Sequence, residues 1–496
     1  MTADPGTELE RTLGLREALA IGIGTMVGAG IFIFPGLAAS RAGLAATASF
    51  AIGTAIALLV ALPTSELATA MPRSGGGYFF ISRGLGTLAG TLVGLGLFTG
   101  LVFASAFYLV GFGHYATQLL AEAGVHLDVV KALGVTMAVL LTAVGILGTK
   151  RSGNLQTGIV GLLLAILVTF LTVGVLDVVG VFGRETVAEE FAPFGTVPVL
   201  TTAALVFTSY LGFAQIATMA GEIERPSRNL ARAMVSSVLV VGFLYVLTVF
   251  VVTSITGSGE LAGLGETALV EVARGILGTA GALLVIGAGV LATVSSANAS
   301  ILSSSRTVYA LGRDDVVPDG VARVSKRFGT PHVSLVLAGG PIGALVWFGD
   351  VELLAEVASF LHLVMYGLVC VTLLVMRRRP PRWYCPSFRT PGYPAVPIAG
   401  AVASFALLAF MGIASVAVGL LILLASGFWY LVYARERTTI DEEGPVEDEG
   451  SVDLDPDGVR REGMIMEASE DGPGTGEGAG SRNGASEGKD GDDRGP

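Results

Sequence analysis

The sequence predicts an all-α integral membrane protein with twelve spanning helices, and three observations carry that prediction. Hydrophobic residues fill 52% of the 496 positions and charged residues only 14%, a balance too apolar for ordinary soluble domains. Uncharged apolar runs recur at lengths near the ~20 residues that a helix needs to cross hydrocarbon, without the alternation of a closed barrel. Lysine and arginine gather on one side of those runs.

The spans follow in chain order. Leu15–Leu37 comes after a polar segment, residues 1–14, and passes through Pro35 into more apolar sequence rather than a small-residue cleavage site, so it is expected to remain in the protein. Ala46–Met71 stops at Pro72 and Arg73, and Leu88–Phe112 carries no charge. Val130–Leu147 and Thr157–Leu176 are parted by Lys150 and Arg151, and Val199–Met219 ends before Glu222. Met234–Ile255 follows Arg225, Arg228 and Arg232, while Gly281–Ser304 lies between Arg274 and Arg306. Val333–Phe348 and Ala395–Met411 are the short spans, Leu353–Met376 runs into Arg377, and Ala414–Tyr433 precedes Arg435. The permeation domain is thus expected over residues 15–436.

One side of the spans collects 21 basic residues and the other only Arg41, Lys131, Arg184 and Arg274. Basic flanks resist translocation, which places both termini in the cytoplasm of a multi-pass plasma-membrane protein. The formal charge of -11 comes from the tail, residues 437–496: from Asp441 onward lie 18 of the 41 acidic residues and 5 of the 30 basic ones. With few large apolar residues, that tail is expected to be disordered. The rest of the chain is near neutral, so it offers no basic groove for nucleic acid. Cys370 and Cys385 make no disulfide framework, and the four histidines show no metal or acid-base spacing. No Gly-rich phosphate loop with Lys-Ser/Thr exists, so a gradient rather than ATP must supply the energy. No enzymatic activity and no bound cofactor are expected.

The chemistry is expected where backbone is freed inside the membrane, which is tolerated only beside protein or a watery cavity. The first span reads Gly22-Ile23-Gly24-Thr25-Met26-Val27-Gly28-Ala29-Gly30 at mid-depth. Small residues at this spacing also let helices pack closely. The sixth span has Thr208-Ser209-Tyr210-Leu211-Gly212 at a similar depth. If spans 1 to 5 and 6 to 10 are inverted repeats, both leading helices are interrupted, and their bare amides and carbonyls suit a zwitterion. The eighth span carries Ala292, Ser295 and Ser296 in a hydroxyl-rich stretch that serves either interhelical bonding or an all-oxygen cage for sodium. Glu66 lies toward the cytoplasmic end of the second span, where loop donors near Arg73 are its expected partners. Ionisable groups are otherwise nearly absent from the spans, which disfavours cationic and dianionic substrates.

Three stretches resemble the amino acid/polyamine/organocation permease superfamily, over roughly Thr12 to Arg437. They are Ile23 to Phe32, Ser65 to Tyr78, and a composite of Tyr210 to Phe213, Gly221 to Asn229, Ser305 to Asp314 and Pro318. The resemblance implies a LeuT-like fold of five plus five inverted helices with helices 1 and 6 broken and two helices added at the C-terminal end. It implies an amino acid carboxylate on the Gly28-Ala29-Gly30 backbone, near Thr25, and an ammonium facing Thr208, Ser209, Tyr210 and Gly212. Ala292, Ser295 and Ser296, with the Gly24 and Val27 carbonyls, resemble the sodium site of coupled relatives. The chain departs from many relatives in having Ala214 and Gln215 where an acidic residue follows the Gly-Phe pair, and Thr208 in place of an aromatic gate. The reading is a permease importing a neutral amino acid by sodium- or proton-coupled symport. The alternatives are a cation-chloride cotransporter-like carrier, because such carriers share a Ser-Ser stretch in helix 8, and a non-transporting sensor or scaffold working through the acidic tail.

Overall fold

The computed structural model describes residues 11–147, 152–182, 190–322 and 332–438. The expected tail, from residue 439 on, lies outside them. The described residues hold helices and no strand, apart from a single parallel bridge between Leu13 and Ile223. In order the helices are α1 Leu15–Ala42, α2 Ala46–Ala70, α3 Gly76–Leu85, α4 Thr87–Glu122, α5 Val130–Leu147, α6 Ser152–Val178, α7 Val197–Val206 and α8 Gly212–Thr218. There follow α9 Pro226–Thr256, α10 Ser258–Leu264, α11 Ala268–Arg313, α12 Asp319–Ala322, α13 His332–Phe348, α14 Val351–Arg378, α15 Ala395–Leu408 and α16 Ile413–Trp429. Among the described residues nine segments are long and apolar enough to cross a membrane, and the first, 15–70, contains both α1 and α2. Two shorter apolar helices, α13 and α15, add to them.

The core is built around α1, a helix that is apolar on all faces and buried along most of its length, as an interior helix must be. It packs against α9 and α11, while α4 runs along α11 and α14, and α2 along α9. The outer helices leave large apolar side chains uncovered, among them Val139, Leu140, Phe243, Phe348, Val402 and Leu424. Such surface suits hydrocarbon rather than water.

Several elements extend beyond what hydropathy marks. The eighth expected span begins at Gly281, but α11 starts at Ala268 and turns at Gly278, where φ is +69°. Charged residues hid this extension, and they are paired: Arg274 bonds Glu271 at 3.0 Å and also reaches Glu122 at the end of α4. Likewise α9 begins at Pro226 instead of Met234, because its first turns carry arginines at the membrane edge. The α3 helix was not foreseen, since its Gly75-Gly76 start reads as loop. Both glycines have positive φ, which most other residues avoid.

Candidate functional site

Two helices are interrupted at the depths the sequence marks. In α1 the ladder bends at Gly28, whose φ of -38° and ψ of -110° are not helical. A side chain there would force its neighbours to shift: a Cβ would fall onto Ser296 Oγ, 2.8 Å from Ser296 Cβ and 3.1 Å from the Ala292 carbonyl oxygen. The second interruption follows α7, where Phe207–Tyr210 tighten into a 3-10 turn before α8 restarts at Gly212. Gly212 lets α8 cross α1 closely, since a Cβ would lie 2.8 Å from Met26 Cγ and 3.0 Å from its amide nitrogen.

The two breaks meet. A Cβ on Gly30 would lie 2.6 Å from Ser209 Cβ, so the backbone after the α1 break touches the 3-10 turn. Tyr245, from the middle of α9, donates its hydroxyl to the Met26 carbonyl and lies 3.3 Å from the Ser209 carbonyl. One fully buried phenol therefore spans both interruptions. No sequence signal marks it, because a lone tyrosine in an apolar span looks like core. Tyr210 turns toward α2 instead, with its hydroxyl 2.8 Å from the Phe50 carbonyl and 3.0 Å from Thr54 Oγ1. Thr208 and Ser209 are buried, and their hydroxyls have no partner among the described residues. Ala29 continues α1 between Gly28 and Gly30.

The α11 hydroxyls approach the α1 break. Ser296 Oγ lies 3.1 Å from the Thr25 carbonyl oxygen and 3.3 Å from that of Gly24. Gly24, Ser296 and Ala292 are thus brought together, with Ser295 buried alongside, and Thr25 rather than Val27 supplies the second carbonyl that Ser296 reaches. Gln215 of α8 ties the same region: its Oε1 lies 3.2 Å from Thr25 Oγ1, and its Nε2 donates to Ser300 Oγ at 2.9 Å. A carboxamide therefore links α1, α8 and α11. The groups around both breaks are carbonyls, hydroxyls, this carboxamide and aromatic rings. Among the described residues no cluster of three His, Cys, Asp or Glu side chains is arranged to hold a metal ion.

The family model for "Amino acid permease" matches residues 13–434. The chain belongs to this amino acid permease family. Its relatives include the branched-chain amino acid permease BcaP of Bacillus subtilis, 28% identical over 88% of this chain and 95% of BcaP. The methylthioribose transporter of the same organism is 28% identical, covering 79% of this chain and 87% of that protein. The serine/threonine exchanger SteT, also from Bacillus subtilis, is 25% identical over 82% and 91%. The family and these relatives are transporters, not enzymes, and the permease is a multi-pass membrane protein.

In the permease, the other stretches that carry the family resemblance meet at ion pairs. Arg83 of α3 forks onto Asp314, with Nη2 to Oδ1 at 2.9 Å, and Tyr78 donates to Asp314 Oδ2 at 2.7 Å. Burial pushes the Asp314 carboxyl up, but the hydrogen bonds and charge of Arg83, with Arg313 and Tyr78, hold it below its ordinary value. Arg306 bonds Glu222 at 2.8 Å, and the Thr12 and Leu13 amides donate to the Glu222 carbonyl at 3.0 and 2.9 Å. Glu66 accepts from Arg377 at 2.7 and 2.6 Å, from the Tyr384 hydroxyl at 3.0 Å and from the Thr390 amide at 2.7 Å. Its donors therefore include the loop after α14, a contact some 300 residues distant in sequence that local reading had no means to supply.

Proposed function

We propose that this permease carries a neutral amino acid across the plasma membrane by coupled symport, with alternating access around the two helix breaks. In this reading twelve helices cross the bilayer: α1, α2, α4, α5, α6, the α7–α8 pair, α9, α11, α13, α14, α15 and α16. The first ten form inverted repeats of five, and both termini face the cytoplasm. The observation that carries the reading is the meeting of the Gly28 and Phe207–Tyr210 interruptions, with Tyr245 reaching the Met26 and Ser209 carbonyls. Backbone amides near Gly28, Ala29 and Gly30 suit a carboxylate, and carbonyls of the Phe207–Tyr210 turn suit an ammonium. The absence of ionised side chains among the groups named at the breaks favours a neutral side chain. BcaP and SteT are named for branched-chain amino acids and for serine/threonine, which are likewise neutral.

Sodium is the first choice of coupling ion. Ser296 Oγ and the Gly24 and Thr25 carbonyls form a cluster of hard oxygen donors, the chemistry an alkali cation requires. Purified protein in liposomes, tested with labelled neutral amino acids under sodium and proton gradients imposed separately, tests both parts. Concentrative uptake driven by sodium supports the full reading. Uptake driven only by protons removes sodium, and chloride-dependent salt flux without amino acid uptake removes the permease reading.

A further inference from the structure

Six tyrosines are fully buried: Tyr78, Tyr108, Tyr115, Tyr210, Tyr245 and Tyr366. Four of their hydroxyls reach an acceptor, Tyr78 on Asp314 and Tyr115, Tyr210 and Tyr245 on the carbonyls of Phe32, Phe50 and Met26. The Tyr108 and Tyr366 hydroxyls have no partner among the described residues. These two stand on α4 and α14, which pack against each other. Tyr366, on α14, stacks on Phe213 with ring centroids 5.1 Å apart and meets Phe207 edge-on at 5.9 Å, so it lies across the first residue of the Phe207–Tyr210 turn and the start of α8. Tyr108, on α4, lies within electrostatic reach of both the Tyr366 and the Tyr245 hydroxyls.

Nearby polar groups on the same two helices are satisfied locally: Ser105 donates to the Leu101 carbonyl at 2.7 Å, and His362 Nδ1 lies 2.7 Å from the Ala358 carbonyl. A buried hydroxyl without a partner is destabilising, and phenylalanine at either position would keep the ring packing without that penalty. The unpaired oxygens thus call for a ligand group. The charged ends of an amino acid are already served by the backbone of the broken helices, whereas Tyr108 and Tyr366 come from helices that are not broken at this depth.

Resting on the permease reading above, we propose that the Tyr108 and Tyr366 hydroxyls form the polar end of the substrate's side-chain compartment. The preferred substrates are neutral amino acids whose side chain bears a hydroxyl or carboxamide. An aliphatic side chain of the same size leaves both phenols unpaired in the closed site. A site built to bond a substrate hydroxyl discriminates strongly against the analogue that lacks it.

Threonine and valine, nearly equal in volume, provide the test. In liposomes the wild-type protein is expected to favour threonine over valine by at least about tenfold in kcat/KM. Threonine should also raise the melting temperature of the detergent-solubilised full chain more than valine does, a comparison that needs no variant. Tyr108→Phe and Tyr366→Phe should each pull the threonine-to-valine ratio down several-fold. Equal or better use of valine by the wild type overturns the inference, as does a ratio unmoved in both variants. An equal loss for both amino acids also overturns it, because the hydroxyls would then serve the shared backbone end or packing. Uptake of no amino acid at all sinks the permease reading beneath it.

Discussion

Replacing Gly28 with alanine adds a single methyl group where α1 and α11 approach closely. Its Cβ would coincide with Ser296 Oγ and lie 2.8 Å from Ser296 Cβ and 3.1 Å from the Ala292 carbonyl oxygen. Ser296 must rotate away and give up its contacts with the Gly24 and Thr25 carbonyls, at about 0.6 kcal/mol each inside a bilayer. Rotation does not relieve the approach to the Ala292 carbonyl, so α1 and α11 must also separate slightly, an overpacking cost of about 1–3 kcal/mol. Together these come to about 2–4 kcal/mol, a fall of roughly 30- to 1,000-fold in transport efficiency if the closed state bears the strain. The assay is initial-rate uptake per molecule in liposomes, with size-exclusion profiles confirming that the variant is folded. Adding Ser296→Gly should recover part of the loss, since it removes the colliding side chain, and the two changes should be strongly non-additive. Wild-type kinetics in Gly28→Ala would refute the close approach of α1 and α11 and, with it, the proposed cradle.

Ser296→Ala should reduce the sodium dependence of uptake by removing a hydroxyl from the cluster with the Gly24 and Thr25 carbonyls; a sodium response identical to wild type counts against an ion there. Tyr245→Phe removes the hydroxyl shared between the two breaks, and kcat/KM is expected to drop about tenfold, the equivalent of one hydrogen bond of about 1.4 kcal/mol. Asp314→Asn strips the Arg83 guanidinium of its counter-charge and should cost about 3–5 kcal/mol of stability, read as a lowered melting temperature. The Asp314 carboxyl is held below its ordinary value, so its stabilising contribution is present above about pH 4 and is lost as pH falls through the depressed folded value. Melting temperatures measured from neutral pH into acid should therefore show a stabilisation by Asp314 that fades at the acid end and is missing from Asp314→Asn.

Hydropathy and charge made most of the helices legible, because crossing hydrocarbon leaves the backbone so few options. Their ends were less so. Arg274 and the arginines of early α9 read as loop, yet ion pairs or the membrane edge accommodate them on helices. Both breaks were visible through glycines and small polar residues, since Gly28 and Gly212 sit at close approaches that a larger residue would disturb. Tyr245 and the pair Tyr108 and Tyr366 were not visible, and Gln215 was visible only as a departure from relatives, because an aromatic or amide in an apolar run has the same appearance whether it packs or binds. Only tertiary contacts distinguish those roles. Glu66 illustrates the same limit: its depth was readable, its partners Arg377 and Thr390 were not.

The bend at Gly28 leaves the two arms of α1 fastened to different neighbours. Ahead of it, the strand-like pairing of Leu13 with Ile223 and the seat of Gly22 beneath Ile216 bind the first arm to α8 and the segment that follows it. Beyond it, Phe34 stacks on Phe107 of α4 at 5.0 Å and Arg41 pairs with Glu352 of α14. On the proposed alternating-access reading, the first arm would act as a lever yoked to α8, the second would stay moored to α4 and α14, and Gly28 would be the hinge between them. Swinging that lever would carry both half-helices away from the substrate in one stroke, so release toward the cytoplasm would need no separate trigger for each.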